Sequence, residues 1–401
     1  MAKGIKIWAT DVKNIYIGST ACKEVFVWTT KVRPTIIPKT FTITWVEKTN
    51  MSSWWTYSDD AAWLTAGSTA FDEFFDYSVV RLNTSWAETS EVKQTILWQL
   101  DFSQLGTLTS GDNVMIKFPV RWIKMSKSWS TVTLSITNEL NKSGYQYYAH
   151  STWTLSSPWT PKNAFYLWAF KASNNGSNVL KSRSGKSPEV SQTEATFCTR
   201  AKANGSGYNI IWYYQRQFVN ALYMMKYGNP NSQSVVWLWY AGWYVPVNTW
   251  WTVSQTSATY WTTSNTQQAK LFWLEDWWGN INEWVWWAYT DWYKNLIVQL
   301  SWYSWAVSGW ESTWSTIQNT WTAYNLSSIV WNNKVLFWPS ATNGTNYGSD
   351  YYCDFVEVSG SRLVYAGGPC GSGTSVGTFY LGAVRNASSS SSVLGSRLLY
   401  L

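Results

Sequence analysis

The sequence predicts a mixed α+β fold with a mostly antiparallel sheet and two main helices. Three observations lead there. Several short runs read as strands: Phe41-Thr42-Ile43-Thr44 alternates apolar and polar residues with period two, as a half-buried strand does, and Val114 to Arg121 and Val132 to Ile136 are strand-like. Two longer segments, 191–204 and 212–228, carry helix start and stop signals instead. The remainder is rich in Gly, Ser, Thr and Asn, the chemistry of turns and loops.

Taken in order, residues 1–38 read as a small β module and linker. Ile15 to Thr20 and Glu24 to Val27 alternate like a hairpin, and Pro34 and Pro38 mark the linker. Residues 39–108 form a β-rich lead-in. Its adjacent Asp59 and Asp60 suit a loop start or a helix cap better than a metal or acid–base pair. Residues 109–401 form the main domain. Phe165 to Ala172 adds another strand. Ser191-Gln192-Thr193-Glu194 opens the first helix, with Gly205 as its stop. Phe218, Leu222 and Met225 mark the apolar face of the second, and Gly228 fits the left-handed position past its end. Residues 301–350 read as Ser/Thr/Gly/Asn-rich insertions.

Composition excludes several functions. The 401 residues carry a formal charge of +7, but only 13% are charged and no Lys/Arg block stands out, so nucleic acid is not an expected partner. The four cysteines (Cys22, Cys198, Cys353, Cys370) are too few for a disulfide scaffold, and a Cys353–Cys370 pairing is left open. No secretory signal and no apolar run of membrane-spanning length is present, so no membrane insertion is expected. His150 is the single histidine, so neither a His-ligated metal nor an acid–base relay is expected. Glu275, Asp276 and Glu283 match no calcium loop. No catalytic residue, metal ligand or cofactor is assigned.

The tryptophan content is abnormal: 34 Trp against 15 Phe. Many stand where turns want glycine, such as Trp28, Trp159, Trp250, Trp251, Trp310 and Trp321. One reading is an alternative genetic code, with UGA meaning glycine but written as Trp. The other is a real Trp-rich binding surface.

The stretch 367–397 closes the chain's argument. Gly367-Gly368, a short polar run, Gly373, Gly377, Phe379-Tyr380-Leu381 and a final Leu394-Gly395-Ser396-Arg397-Leu398 frame it. Val376, Phe379, Leu381 and Leu394 are spaced to anchor it inward. A Gly/Ser-rich disordered tail is the bland alternative.

This frame resembles the variable region of C-type-lectin-fold proteins diversified by retroelements, such as phage tropism determinants. In that family adenines of a template repeat are mutated. Pro369, Gly371, Ser372, Thr374, Ser375, Gly382, Ala383, Val384 and Arg385 are all reachable from an Asn codon by its first two bases, and Cys370 by one change from a Tyr codon. Upstream, Gly279-Asn280-Ile281-Asn282-Glu283-Trp284-Val285 resembles the Gly-Asn-x-x-Glu-Trp-Val motif of the formylglycine-generating-enzyme branch of the same superfamily. In the family this motif is structural. On that resemblance Trp284 reads as genuine and buried, and Trp286 and Trp287 as suspect.

The resemblance implies a C-type lectin-like fold and a ligand- or receptor-binding display protein. Its ligand-binding residues would be Pro369, Cys370, Gly371, Ser372, Thr374, Ser375, Tyr380, Gly382, Val384, Arg385 and Ser390, facing outward. The expected partner is a protein or glycan on a target cell surface, from a virion tail or cell-surface location, with a homo-oligomer left open. A non-diversified phage tail or baseplate protein is the alternative. An oxidase of the formylglycine-generating kind is a third reading, against which the separated Cys353 and Cys370 argue.

Overall fold

The computed structural model describes residues 37–47, 55–83, 88–92, 113–151, 161–236, 239–242, 245–249, 257–262, 266–299, 310–316, 324–330, 335–343, 352 and 354–401, with short strands between 16 and 32 and between 94 and 100. Cys22, Trp28, Trp159, Trp250, Trp251, Trp321 and Cys353 lie outside them, as does much of 301–350. The chain divides into two compact units, Met1–Lys39 and Thr40–Leu401. In the first, Tyr16–Ile17 pairs with Thr20–Ala21 and Val25–Val27 with Thr30–Val32. The two expected runs therefore each start a separate hairpin rather than pairing with each other.

The larger unit is mixed α+β, with sheet dominant. The described strands and helix between residues 40 and 92 are woven into it. Thr40–Val46 lies between Trp55–Asp59 and Thr131–Thr137 in a four-stranded sheet, and Ser78–Leu82 pairs with Asn113–Pro119 in a six-stranded one. Asp59 ends its strand at φ 56° and accepts from Thr42 Oγ1 at 2.6 Å, while Asp60 accepts from Thr40 N at 2.7 Å. These carboxylates shape a turn. The largest sheet is built around Asn282–Thr290, Arg362–Ala366 and Leu381–Arg385. Most pairings are antiparallel; Phe355–Val358 with Leu381–Arg385 and Asn282–Thr290 with Leu394–Gly395 are parallel.

Four helices are described: α1 Thr69–Phe75, α2 Glu194–Lys202, α3 Tyr213–Tyr227 and α4 Ser232–Val236. The two expected helices are α2 and α3. Thr193 caps α2, its Oγ1 accepting from Thr196 N at 3.2 Å. Glu194 in the first turn and Arg200 and Lys202 in the last complement the helix dipole. Gly228 ends α3 at φ 64°, where a Cβ would meet the Trp55 ring at 2.7 Å. All of α3 is buried, so its polar side chains need internal partners. Lys226 finds Asp72 at 2.7 Å, for example. No helix among the described residues is long and apolar enough to cross a membrane.

Trp129, Trp239, Trp273 and Trp287 adopt φ of 56°, 56°, 67° and 61°. Trp129 opens the two-residue loop between Trp122–Ser128 and Thr131–Thr137, and its side chain is 96% exposed. Trp273 is the second residue of the loop joining Lys270–Leu271 to Leu274–Glu275, with Phe272 also left-handed at 50°. Both conformations are ones that hairpin turns assign to glycine. Trp287 sits where the Asn282–Thr290 register shifts against Arg362–Ala366, and Trp286 is not left-handed.

Candidate functional site

The motif at 279–285 is the base on which the end stretch rests. Gly279 has φ 77°, and a Cβ there would lie 2.9 Å from Tyr240 O, so only glycine fits. Asn280 Nδ2 donates to Asp276 Oδ2 at 2.9 Å and to Val247 O at 3.1 Å. Trp284 is fully buried, as the motif implied, and meets Tyr365 edge-on at 6.1 Å.

Glu283 is the electrostatic centre. Its carboxylate takes Lys171 Nζ at 2.9 Å and Arg397 Nε at 2.9 Å on Oε1, and Arg216 Nη1 at 2.8 Å on Oε2. All four side chains are buried. Burial alone would raise its pKa, but Lys171, Arg397 and Arg216 together hold it down to about 2. Arg216 also stacks on the Trp277 ring at 3.9 Å and donates to Trp277 O at 3.0 Å. Arg397 donates to Trp168 O at 2.7 Å and Ala169 O at 3.0 Å. One carboxylate thus joins α3, the 279–285 motif and the final segment. Breaking such a buried group typically costs ~3–5 kcal/mol.

Above this base the backbone of the end stretch is held by groups outside it. Gly367 and Gly368 turn at φ 94° and 69°, and a Cβ on Gly368 would meet Val376 Cγ1 at 2.2 Å. Gly279 N donates to Gly367 O and Cys370 N to Asn280 O, at 2.8 and 2.9 Å. Gly371 N and Gly373 N both donate to Ala241 O at 2.9 Å. Gln233 on α4 donates through Nε2 to Thr374 O and, at 2.6 Å, to Val376 O. Thr378 N donates to Ser232 Oγ at 3.0 Å, and its Oγ1 to Asn220 Oδ1 at 2.9 Å. Phe379 N donates to Asp354 Oδ2 at 2.6 Å. Asp354 is fully buried, and burial pushes its pKa well above the usual carboxylate range.

The side chains then divide. Val376, Phe379, Leu381 and Leu394 are buried, as anchors should be. Thr374 is exposed; Pro369, Gly371, Ser372 and Ser375 are half-buried. Val384 is half-buried, and Arg385 and Ser390 are exposed. Arg385 stands at the far end of Leu381–Arg385 from the 369–375 loop, so the two groups do not form one cluster. Three expected positions are corrected. Cys370 and Tyr380 are only 5% and 7% exposed, and Gly382 is buried where a Cβ would strike the Tyr365 ring at 2.1 Å. Core packing leaves no room for free variation there. Gly371 also sits at φ 84°, which any L side chain there would strain. The sequence did not single out Ala241, whose carbonyl takes Gly371 N and Gly373 N, or the exposed Gly242 next to it. Nor did it single out α4, whose Gln233 reaches Val376 across 143 residues.

His150 is buried between Phe165 and Phe218, its Nε2 3.3 Å from Phe118 O, and burial lowers its pKa to about 3. Cys198 and Cys370 are free thiols. Among the described residues no three His, Cys, Asp or Glu side chains converge as a metal site. No family model and no curated protein matches the chain.

Proposed function

We propose that this is a ligand- or receptor-binding display protein of the C-type lectin fold class, with its end stretch as the recognition surface. The observation that carries this reading is the hydrogen bonding of residues 370–379. Ala241, Asn280, Ser232, Gln233, Asn220 and Asp354, all outside the stretch, hold it in place. The side chains of Pro369, Ser372, Thr374 and Ser375 make none of the bonds that fix the loop. Such a loop tolerates sequence change while keeping its shape, which is what a recognition surface on a rigid scaffold needs. The presented set is narrower than the sequence suggested: Pro369, Ser372, Thr374 and Ser375 at one end of Leu381–Arg385, Val384 and Arg385 at the other, and the exposed Ser390 beyond it.

A diversified retroelement cassette, a virion-tail or cell-surface setting and a protein or glycan ligand belong to this proposal. So does recognition by side chains alone, without a cofactor. The test is a library of the full chain randomised at Pro369, Ser372, Thr374 and Ser375. The expected result is that most members keep the parent denaturation midpoint within a few degrees, since loosely packed surface changes are usually within about ±0.5 kcal/mol. Binders to an arbitrary protein or glycan target should also be selectable from it. A library in which most members unfold, or which yields no binder, overturns the reading.

A further inference from the structure

Beneath residues 378–381 lies a cavity of about 10 Å3 between α3 and the end stretch. Such a volume is about what one water molecule's centre requires. Arg216, Gln217, Asn220 and Thr378 form its polar wall, with Val285 and Phe337 opposite. All six are buried. Two of these wall residues each carry a buried polar atom with no hydrogen-bond partner among the described residues: Arg216 Nε and Gln217 Oε1. The first can only donate and the second, as placed, can only accept. Leaving either bare in the interior is unfavourable, because neither recovers the hydrogen bond it made to water in the unfolded chain.

We propose that this cavity is a binding site for one ordered water, which accepts from Arg216 Nε and donates to Gln217 Oε1. The electrostatics favour a neutral occupant. An anion would face the Glu283 carboxylate, 2.8 Å from Arg216 Nη1, and a cation would face the guanidinium itself. A dry cavity is an apolar one, and this wall carries a charged group. The water ties consecutive α3 residues to the floor of the end stretch, next to Thr378 and its bond to Asn220. This inference rests on the cavity alone and stands whether or not the stretch above it binds a ligand.

The test is a crystal structure of the full chain that resolves ordered solvent. The expected result is one peak within about 3.2 Å of both atoms. In solution, Arg216 Hε should show a cross-peak to a long-lived water, lost in Gln217→Leu. The wild-type measurements decide the matter even if that variant fails to fold. Xenon entering the cavity under pressure, bromide replacing the peak on soaking, or Arg216 Nε meeting a protein oxygen would each overturn the proposal.

Discussion

The loop at Trp129 gives a direct test of the tryptophan problem. Its φ of 56° is left-handed, a conformation that costs an L residue ~1–2 kcal/mol and glycine almost nothing. The indole is 96% exposed, so removing it forfeits almost no burial. Glycine returns ~0.5–1 kcal/mol through its greater freedom in the unfolded chain. Trp129→Gly should therefore stabilise the protein by ~0.5–1 kcal/mol. Trp284→Gly is the opposite case. Its side chain is fully buried in the strand Asn282–Thr290, and the loss should be at least the ~3–5 kcal/mol typical of Trp→Ala in a core. Equilibrium urea unfolding of the two variants measures both. If Trp129→Gly destabilises by more than ~0.5 kcal/mol, or Trp284→Gly is tolerated, turn geometry is not what distinguishes these residues. The gene supplies a second reading. The codons for Trp129, Trp239, Trp273 and Trp287 should be UGA and that for Trp284 UGG; UGG at all five would end the recoding hypothesis.

Further outcomes are expected at three residues. Glu283→Gln leaves Lys171, Arg216 and Arg397 without their counter-charge and should cost ~3–5 kcal/mol by denaturant titration. Because the folded pKa of Glu283 lies at about 2, below its unfolded value, its stabilisation is present above pH ~4.5 and is lost as pH falls toward 2; acid unfolding of wild type should show this loss. Asp354 has the opposite sign. Its folded pKa is raised, so the unfolded chain releases this proton first, and stability declines as pH rises from ~4 toward the folded value. Asp354→Asn keeps an acceptor for Phe379 N and should flatten that slope; an unchanged pH profile would refute the assignment. Gly377→Ala places a Cβ 2.0 Å from Asp354 Oδ1 and 2.4 Å from Ser232 Oγ, and should lower the melting temperature by several degrees where Thr374→Ala does not.

Local signals were legible in the sequence and long-range ones were not. Thr193 and Gly228 mark α2 and α3 because capping is decided within a few residues of backbone. Trp284 was legible through its motif. The spacing of Phe71, Phe74 and Phe75 does carry the helical period of α1, but in a segment too short to separate from a strand. The floor of the end stretch was invisible. Gln233, Asn220 and Asp354 are unremarkable in sequence and acquire roles only through partners up to 158 residues away. Tyr380 and Gly382 were misplaced for the same reason. Position within the 367–397 frame treats them like Thr374, but Phe355 and Tyr365, from neighbouring strands, close over them.

The short strand Leu398–Tyr400 has a kinetic consequence. It lies inside the six-stranded sheet, between Ala164–Trp168 and Tyr208–Ile210, and next to it Arg397 bonds Trp168 across 229 residues. A chain emerging from the ribosome at ~5–20 residues per second must wait more than ten seconds after making Trp168 before its sheet neighbour exists. Until then, two strand edges of the sheet stay unpaired and Glu283 lacks one of its cations. Nascent chains should therefore stay protease-sensitive until residue 400 clears the exit tunnel, and then gain resistance in a single late step. Contacts of such high sequence separation place the protein among slow folders. A release of synthesis anywhere before Arg397 leaves a product that lacks both the Leu398–Tyr400 strand and the Arg397 bonds to Trp168 and Glu283, so it cannot close this sheet.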